Sequence, residues 1–305
     1  MAATTFLESV QVENELGEGV IWDARGGAFW WTDIDGRKIY RYQPADKLLE
    51  SWVTPERLGC FAMVVDRDYL VCGFESGFAY FNPRNGAVQC LHKVDEDNKS
   101  TRLNDGRADR QGRFWAGSMV EDKQAGAPAG ALYCLDGRLN FSSKVSGLSI
   151  SNGLCWSPDS VFLYHTDTPT RRIDRYEFDE NTASISNRTT FAQTANGCFP
   201  DGSTVDSAGY LWNAQWGGSQ VIRYTPAGEV DLILPLPVSQ PTCVAFGGPQ
   251  LDRLIVTSAR QGLGPQELAA QPEAGNVFIF QTDITGIVDP VYRPAVSSEA
   301  LKQNG

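Results

Sequence analysis

The sequence predicts an all-β fold, a six-bladed β-propeller. Three observations predict it. A strand of the form apolar-x-x-aromatic recurs six times, at 39–42, 78–81, 132–135, 173–176, 221–224 and 277–280, with leucine closing the third copy. Its spacing of roughly 40 to 55 residues falls in the range of one propeller blade. Each copy follows an aromatic-rich run, and that run follows a polar turn opening another apolar strand. No long segment carries the 3.6-residue apolar period of a helix. The repeats fill the 305 residues, so residues 1–305 are expected to form one domain without a linker.

The elements follow in order. Residues 6–12 look like a spare strand that would pair with the last blade and cover an otherwise exposed edge. Residues 287–292 compete for that role, and the sequence does not decide between them. Inner strands open at 18–22, 60–64, 105–109, 152–156, 201–205 and 242–246. A glycine follows the opening polar residue in Glu18-Gly19, Asp105-Gly106, Asn152-Gly153 and Asp201-Gly202, where it permits backbone that a Cβ would block. Second strands are expected at 29–32, 69–72, 114–117, 162–165, 210–213 and 254–257, as β-branched and aromatic runs bounded by turn residues. They are almost continuously apolar because neighbouring blades cover both faces. Fourth strands, such as 48–53, have the mixed polarity of an outer edge, and one short helix is expected at 266–271.

A net charge of −11 argues against a nucleic-acid partner, which requires Lys and Arg to neutralise phosphates. The charge suits a soluble acidic surface and is compatible with attracting a divalent cation. The seven cysteines, Cys60, Cys72, Cys90, Cys134, Cys155, Cys198 and Cys243, form no CxxC pair, and most lie in apolar strands as small hydrophobes. A reducing cytosol suits them, so a cytoplasmic location is expected. No basic patch followed by an apolar stretch opens the chain, and no apolar run approaches membrane-spanning length.

Inner-strand starts converge on the axis of a propeller. Glu18, Asp105, Asn152 and Asp201 open their strands at matching places in the repeat, with Asn104 adjacent. Clustered carboxylates would repel one another and raise each other's pKa unless a cation joins them. Carboxylate and amide oxygens suit calcium, magnesium or manganese, with zinc and iron(II) also accommodated. Asp and Asn before Gly also form turns without any ligand. Glutamate is a poor turn residue, and the shared register of the set favours the cation. Only two histidines exist: His92, expected on an outer strand, and His165, expected between blades. A Ser-His-Asp hydrolase is therefore disfavoured, and a three-histidine zinc site is excluded by count. Trp22, Trp156 and Phe246 follow the openings at matching places and are assigned to the core.

Several stretches in order carry a resemblance: Gly17-Glu18-Gly19, Arg102-Leu103-Asn104-Asp105-Gly106, Ala116-Gly117-Ser118-Met119, Ser151-Asn152-Gly153, Pro200-Asp201-Gly202 and residues 271–278. Over almost its whole length the chain resembles the regucalcin and gluconolactonase family of six-bladed sugar lactonases. The resemblance implies that Glu18, Asn152 and Asp201 hold one divalent cation and that Arg102, Asn104 and Glu121 bind a small-molecule sugar lactone. It implies hydrolysis of an aldonolactone to its aldonic acid, with Asp201 as the catalytic general base. Val20 stands where many relatives have proline, which alters turn stiffness rather than chemistry. The Ala- and Gly-rich segment 123–128 is expected near the mouth, where it bears on which sugar fits. Two other readings stay open: a metal-dependent hydrolase of another ester or phosphotriester, and a calcium-binding regulator without turnover. A pure cation binder has no need of Arg102, Asn104 and Glu121 together. The sequence names neither the aldonolactone (glucono-, arabinono-, xylono- or that of a modified sugar) nor the metal nor the oligomeric state.

Overall fold

Alternating turns and apolar strands fold into consecutive antiparallel meanders. The computed structural model describes residues 4–95, 100–121 and 128–295. Among the described residues, the strands form six four-stranded sheets arranged as a six-bladed β-propeller. Blades 1 to 5 span 17–53, 58–93, 101–148, 151–193 and 199–235, each running from inner to outer strand in chain order. Blade 6 takes three strands from 241–282, and Thr4–Val10 completes it from the other end of the chain. Thr4–Val10 pairs antiparallel with Val277–Thr282, from Thr4 opposite Thr282 to Val10 opposite Val277. The closing strand is therefore the N-terminal candidate.

The competing segment, 287–292, has another task. It belongs to a strap across the end of the ring where the inner strands finish. The Gly286 N–H donates to the Leu251 carbonyl, and the Val65 N–H donates to the Tyr292 carbonyl. The Arg293 and Ala295 N–H groups donate to the Gly112 and Gly137 carbonyls. Tyr292 is fully buried there.

Inner strands touch in ring order around the axis. Among the described residues, six apolar clusters, one between each pair of neighbouring blades, make up most of the core, and Leu16, Ile34 and Ala259 form a small seventh. This explains the almost unbroken apolar runs of the second and third strands: Ala28–Asp33, Leu70–Phe74 and Gly130–Leu135 are buried at every position. The fourth strand of blade 1, Leu48–Val53, is mostly exposed or half-buried. Trp22, Trp156 and Phe246 are buried in these clusters. The seven cysteines form no disulfide, and five of them are buried. His92 bonds the Leu139 carbonyl at 2.8 Å and stacks on Phe141, a structural role. The short helix runs over Pro265–Ala270. No helix among the described residues is long and apolar enough to cross a membrane.

One irregularity recurs in all six blades. Every inner strand slips register against its neighbour shortly after it begins, between Glu18 and Ile21, Leu58 and Cys60, Leu103 and Gly106, Asn152 and Cys155, Pro200 and Ser203, and Pro241 and Val244. A bulge breaks the in-out alternation and re-aims side chains. In blades 1 and 4 it requires Gly19 and Gly153 at φ of 59° and 67°, backbone that L side chains rarely adopt.

Candidate active site

The bulged strand starts surround a cavity of about 460 Å³. Glu18, Arg102, Asn104, Asn152 and Asp201 line it together. Thr168 and Gln261 add polar groups, and Leu16, Met119, Ile150, Phe199 and Trp216 form an apolar wall. Local turns place the strands. Asp33 accepts the N–H groups of Glu15 and Leu16 at 3.1 and 2.9 Å, just ahead of Glu18. Asp167 accepts those of Ser149 and Ile150 at 3.1 and 2.9 Å, just ahead of Asn152. Each aspartate ends the second strand of its own blade, so the sheet anchors the loop that delivers its polar residue.

Glu18 and Asp201 lie side by side on the cavity wall, close enough for a proton to bridge their carboxyl groups. Glu18 Oε2 also accepts the Gly19 N–H at 2.9 Å. Burial, reinforced by the charge of Asp105, pushes Glu18 up to about 8. Burial, followed by the charges of Glu18 and Asp105, holds Asp201 well above the usual carboxylate range. Two ionised carboxylates cannot share this site at neutral pH without a positive charge, so either a proton or a cation accompanies them. Asp201 Oδ1 is buried and has no hydrogen-bond partner among the described residues. Glu18, Asn152 and Asp201 offer carboxylate and amide oxygens, a donor set that fits a hard divalent cation. No cluster of three His, Cys, Asp or Glu side chains suited to a metal occurs among the described residues.

A hydrogen-bond chain holds that amide. Arg102 Nη1 donates to the Leu103 carbonyl at 3.0 Å and to Asn104 Oδ1 at 2.8 Å. Asn104 Nδ2 donates to the Ser151 carbonyl at 3.1 Å and to Asn152 Oδ1 at 2.8 Å. Asn152 Nδ2 donates to Thr168 Oγ1 at 2.9 Å. Glu121 is placed differently from these residues. It is not part of the cavity wall. Arg57 grips it through two bonds of 2.6 and 2.8 Å, and Arg102 Nε reaches it at 3.3 Å. Of the segment expected near the mouth, residues 123–127 lie outside the described residues.

Asp105 does not share the register of the others. It is the second unpaired residue of its bulge, after Asn104, and it accepts the Leu154 N–H at 3.1 Å. Further along the axis, Arg107 Nη1 donates to Asp289 Oδ1 of the strap at 2.6 Å. Arg107 Nη2 faces the Val20 carbonyl and Cys243, so the guanidinium stands among inner strands of several blades. This ion pair occupies the end of the ring opposite the cavity. His165 bonds Ser151 Oγ at 2.8 Å, but both are almost wholly buried and neither lines the cavity. Burial pushes His165 down to about 3, which keeps it neutral. Thr168, Gln261, Trp216 and Arg57 escaped the sequence reading. Gln261 Nε2 bonds Asp35 at 2.6 Å, an arrangement between distant loops that no local motif marks.

The family profile described as SMP-30/Gluconolactonase/LRE-like region matches residues 16–260. An L-arabinolactonase of Azospirillum brasilense is 39% identical over 276 residues, covering 90% of this chain and 91% of that protein. A 6-deoxy-6-sulfogluconolactonase of Pseudomonas putida is 33% identical over 285 residues, covering 93% and 97%. Regucalcin of Oryctolagus cuniculus is 34% identical over 290 residues, covering 92% and 94%. Among solved structures, a calcium-binding protein, regucalcin, from Agrobacterium tumefaciens superposes with a TM-score of 0.88 at 29% identity, covering 94% of this chain and 98% of that one.

Proposed function

The chain belongs to the SMP-30/gluconolactonase/LRE-like family of lactonases, and on that premise we propose that it is a divalent-cation-dependent hydrolase opening an aldonolactone to its aldonic acid. One observation carries the cation dependence: Glu18 and Asp201 in contact, with Asp201 Oδ1 buried and unpartnered, on a cavity wall shared with Asn152. The two similar lactonases and the superposed calcium-binding regucalcin support the same reading.

Glu18, Asn152 and Asp201 would hold the cation. When bound, it supplies Lewis-acid polarisation of the lactone carbonyl and lets both carboxylates stay ionised. Asp201 takes a proton from the attacking water as its oxygen adds to the carbonyl carbon. The ring C–O bond then breaks, and Asp201 returns the proton to the departing ring oxygen, leaving an acid and a hydroxyl. A carboxylate beside a positive charge is a weak base, which suffices because lactones are activated esters. Arg102 Nη2 has no partner among the described residues, so part of its planar fork is available to sugar hydroxyls. Asn104 offers the second lone pair of Oδ1 and holds Asn152 in place. Glu121 acts from the rim through Arg102.

The test is proton release on a panel of glucono-, arabinono- and xylono-lactones after chelation, with calcium, magnesium, manganese, zinc and iron(II) restored one at a time. Turnover of at least one lactone should disappear on chelation and return with a cation. Undiminished turnover after chelation, or none with any cation, overturns the reading.

A further inference from the structure

We propose that Thr168 is a positioning residue that fixes the Asn152 amide for cation binding and ties it to the strand carrying Asp201. The argument begins with backbone placement. Thr168 opens the 3₁₀ turn Thr168–Thr170, immediately after the second strand of blade 4. Its N–H donates to the Ile150 carbonyl at 3.0 Å, which sets the residue beside the start of the inner strand. Its hydroxyl stands between two blades. Oγ1 accepts from Asn152 Nδ2 at 2.9 Å and donates to the Pro200 carbonyl at 2.9 Å. Pro200 directly precedes Asp201.

The direction of the hydrogen bonds is forced. A guanidinium only donates, so Arg102 turns Asn104 Oδ1 toward itself. Asn104 Nδ2 then faces Asn152 Oδ1, and Asn152 Nδ2 faces Thr168. A backbone carbonyl only accepts, so the single hydroxyl proton of Thr168 goes to Pro200. That leaves Thr168 an acceptor toward Asn152. The chain is thus polarised from blade 3 through blade 4 to blade 5, and it admits one orientation of each amide. Asn152 Oδ1 spends one lone pair on Asn104 and keeps one.

This inference rests on the proposed cation reading. A cation on an amide oxygen draws electron density from the whole amide and makes its N–H a stronger donor. The Asn152–Thr168 bond would then strengthen on loading, so Thr168 contributes to affinity and not only to folding. The second bond, to Pro200, couples the blade bearing Asn152 to the blade bearing Asp201.

The experiment titrates chelated protein with calcium or manganese by calorimetry, for the wild type, Thr168→Val and Thr168→Ser, beside cation-free melting curves. Valine keeps the shape without the hydroxyl, and serine keeps the hydroxyl. Loss of an outer partner of a metal ligand costs about 10-fold to 100-fold in affinity. The valine variant should weaken cation binding by about tenfold or more, and the serine variant should bind like the wild type. Should the valine variant not fold, Thr168→Ala carries the same expectation. Wild-type affinity in the valine or alanine variant overturns the role of Thr168, even if melting temperature falls. Absence of any cation binding by the wild type instead overturns the cation reading itself.

Discussion

Glu18 of the first blade and Asp201 of the fifth meet carboxyl to carboxyl at the cavity, with Asp105 close enough to raise both further. This pair makes cation-free stability depend on pH. Glu18 has an ordinary value of 4.5 and a folded value of about 8, and Asp201 shifts in the same direction. A raised folded pKa contributes stability in full below the unfolded value, and that contribution is lost as pH rises through the folded one. The melting temperature of chelated protein should therefore fall as pH rises from about 4.5 to about 8. Saturating cation should shrink the fall, so its stabilising effect should grow with pH. An equal cation effect at both ends of that range would contradict the assignment.

Arg102 serves two acceptors through Nη1 while Nε reaches Glu121. A lysine ammonium cannot reproduce that fork. Hydrogen bonds from charged groups contribute about 1.5–3 kcal/mol each, so Arg102→Lys should lower kcat/KM for the preferred lactone by about tenfold or more. A change within about twofold would show that the fork has no bearing on catalysis.

Gly59 lies where the inner strands of blades 2 and 3 approach at the axis. A Cβ there would stand 2.5 Å from the Asn104 carbonyl oxygen and 2.6 Å from that of Leu103. Both are backbone atoms in packed strands and cannot swing aside. Gly59→Ala should destabilise by about 1–3 kcal/mol, seen as a lower urea midpoint at unchanged slope. An unchanged midpoint would show that the strands can spread.

The strap is held by Arg107 and Asp289, whose side chains are 8% and 11% exposed. Removing one partner of a buried ion pair costs about 3–5 kcal/mol, whereas replacing both with apolar residues is often neutral. Asp289→Leu should lower stability by that amount, and adding Arg107→Met should recover most of it. Chemical denaturation of the single and double variants checks this. Equal midpoints for the single variant and the wild type would mean that the pair does not hold the strap.

Strand order and blade number were legible because each strand type carries its own polarity signature, from the fully buried Ala28–Asp33 to the mixed Leu48–Val53. Ring closure was not legible. Residues 6–12 and 287–292 are both short runs mixing apolar and polar residues, and only long-range pairing separates them. The Asp-Gly pattern put Asp105 alongside Glu18, Asn152 and Asp201, but the bulge, not the glycine, sets which residue lines the cavity. In blade 3 that residue is Asn104. Asn104, Asn152 and Arg102, which line the cavity, sit in local motifs, whereas Thr168 and Arg57 meet Asn152 and Glu121 through loop geometry that leaves no local trace. The Arg57 grip on Glu121 is a contact between blades 2 and 3 that spacing cannot report.

The central claim is that Glu18, Asn152 and Asp201 capture one cation and that lactone opening depends on it. Its most direct test follows lactone turnover and cation occupancy together while chelated protein is titrated back, in the wild type and in a Glu18→Gln/Asp201→Asn double variant. The account predicts one cation per wild-type chain, turnover rising in step with occupancy, and loss of both in the double variant. Turnover that is indifferent to occupancy, or a double variant that binds the cation as the wild type does, would contradict it.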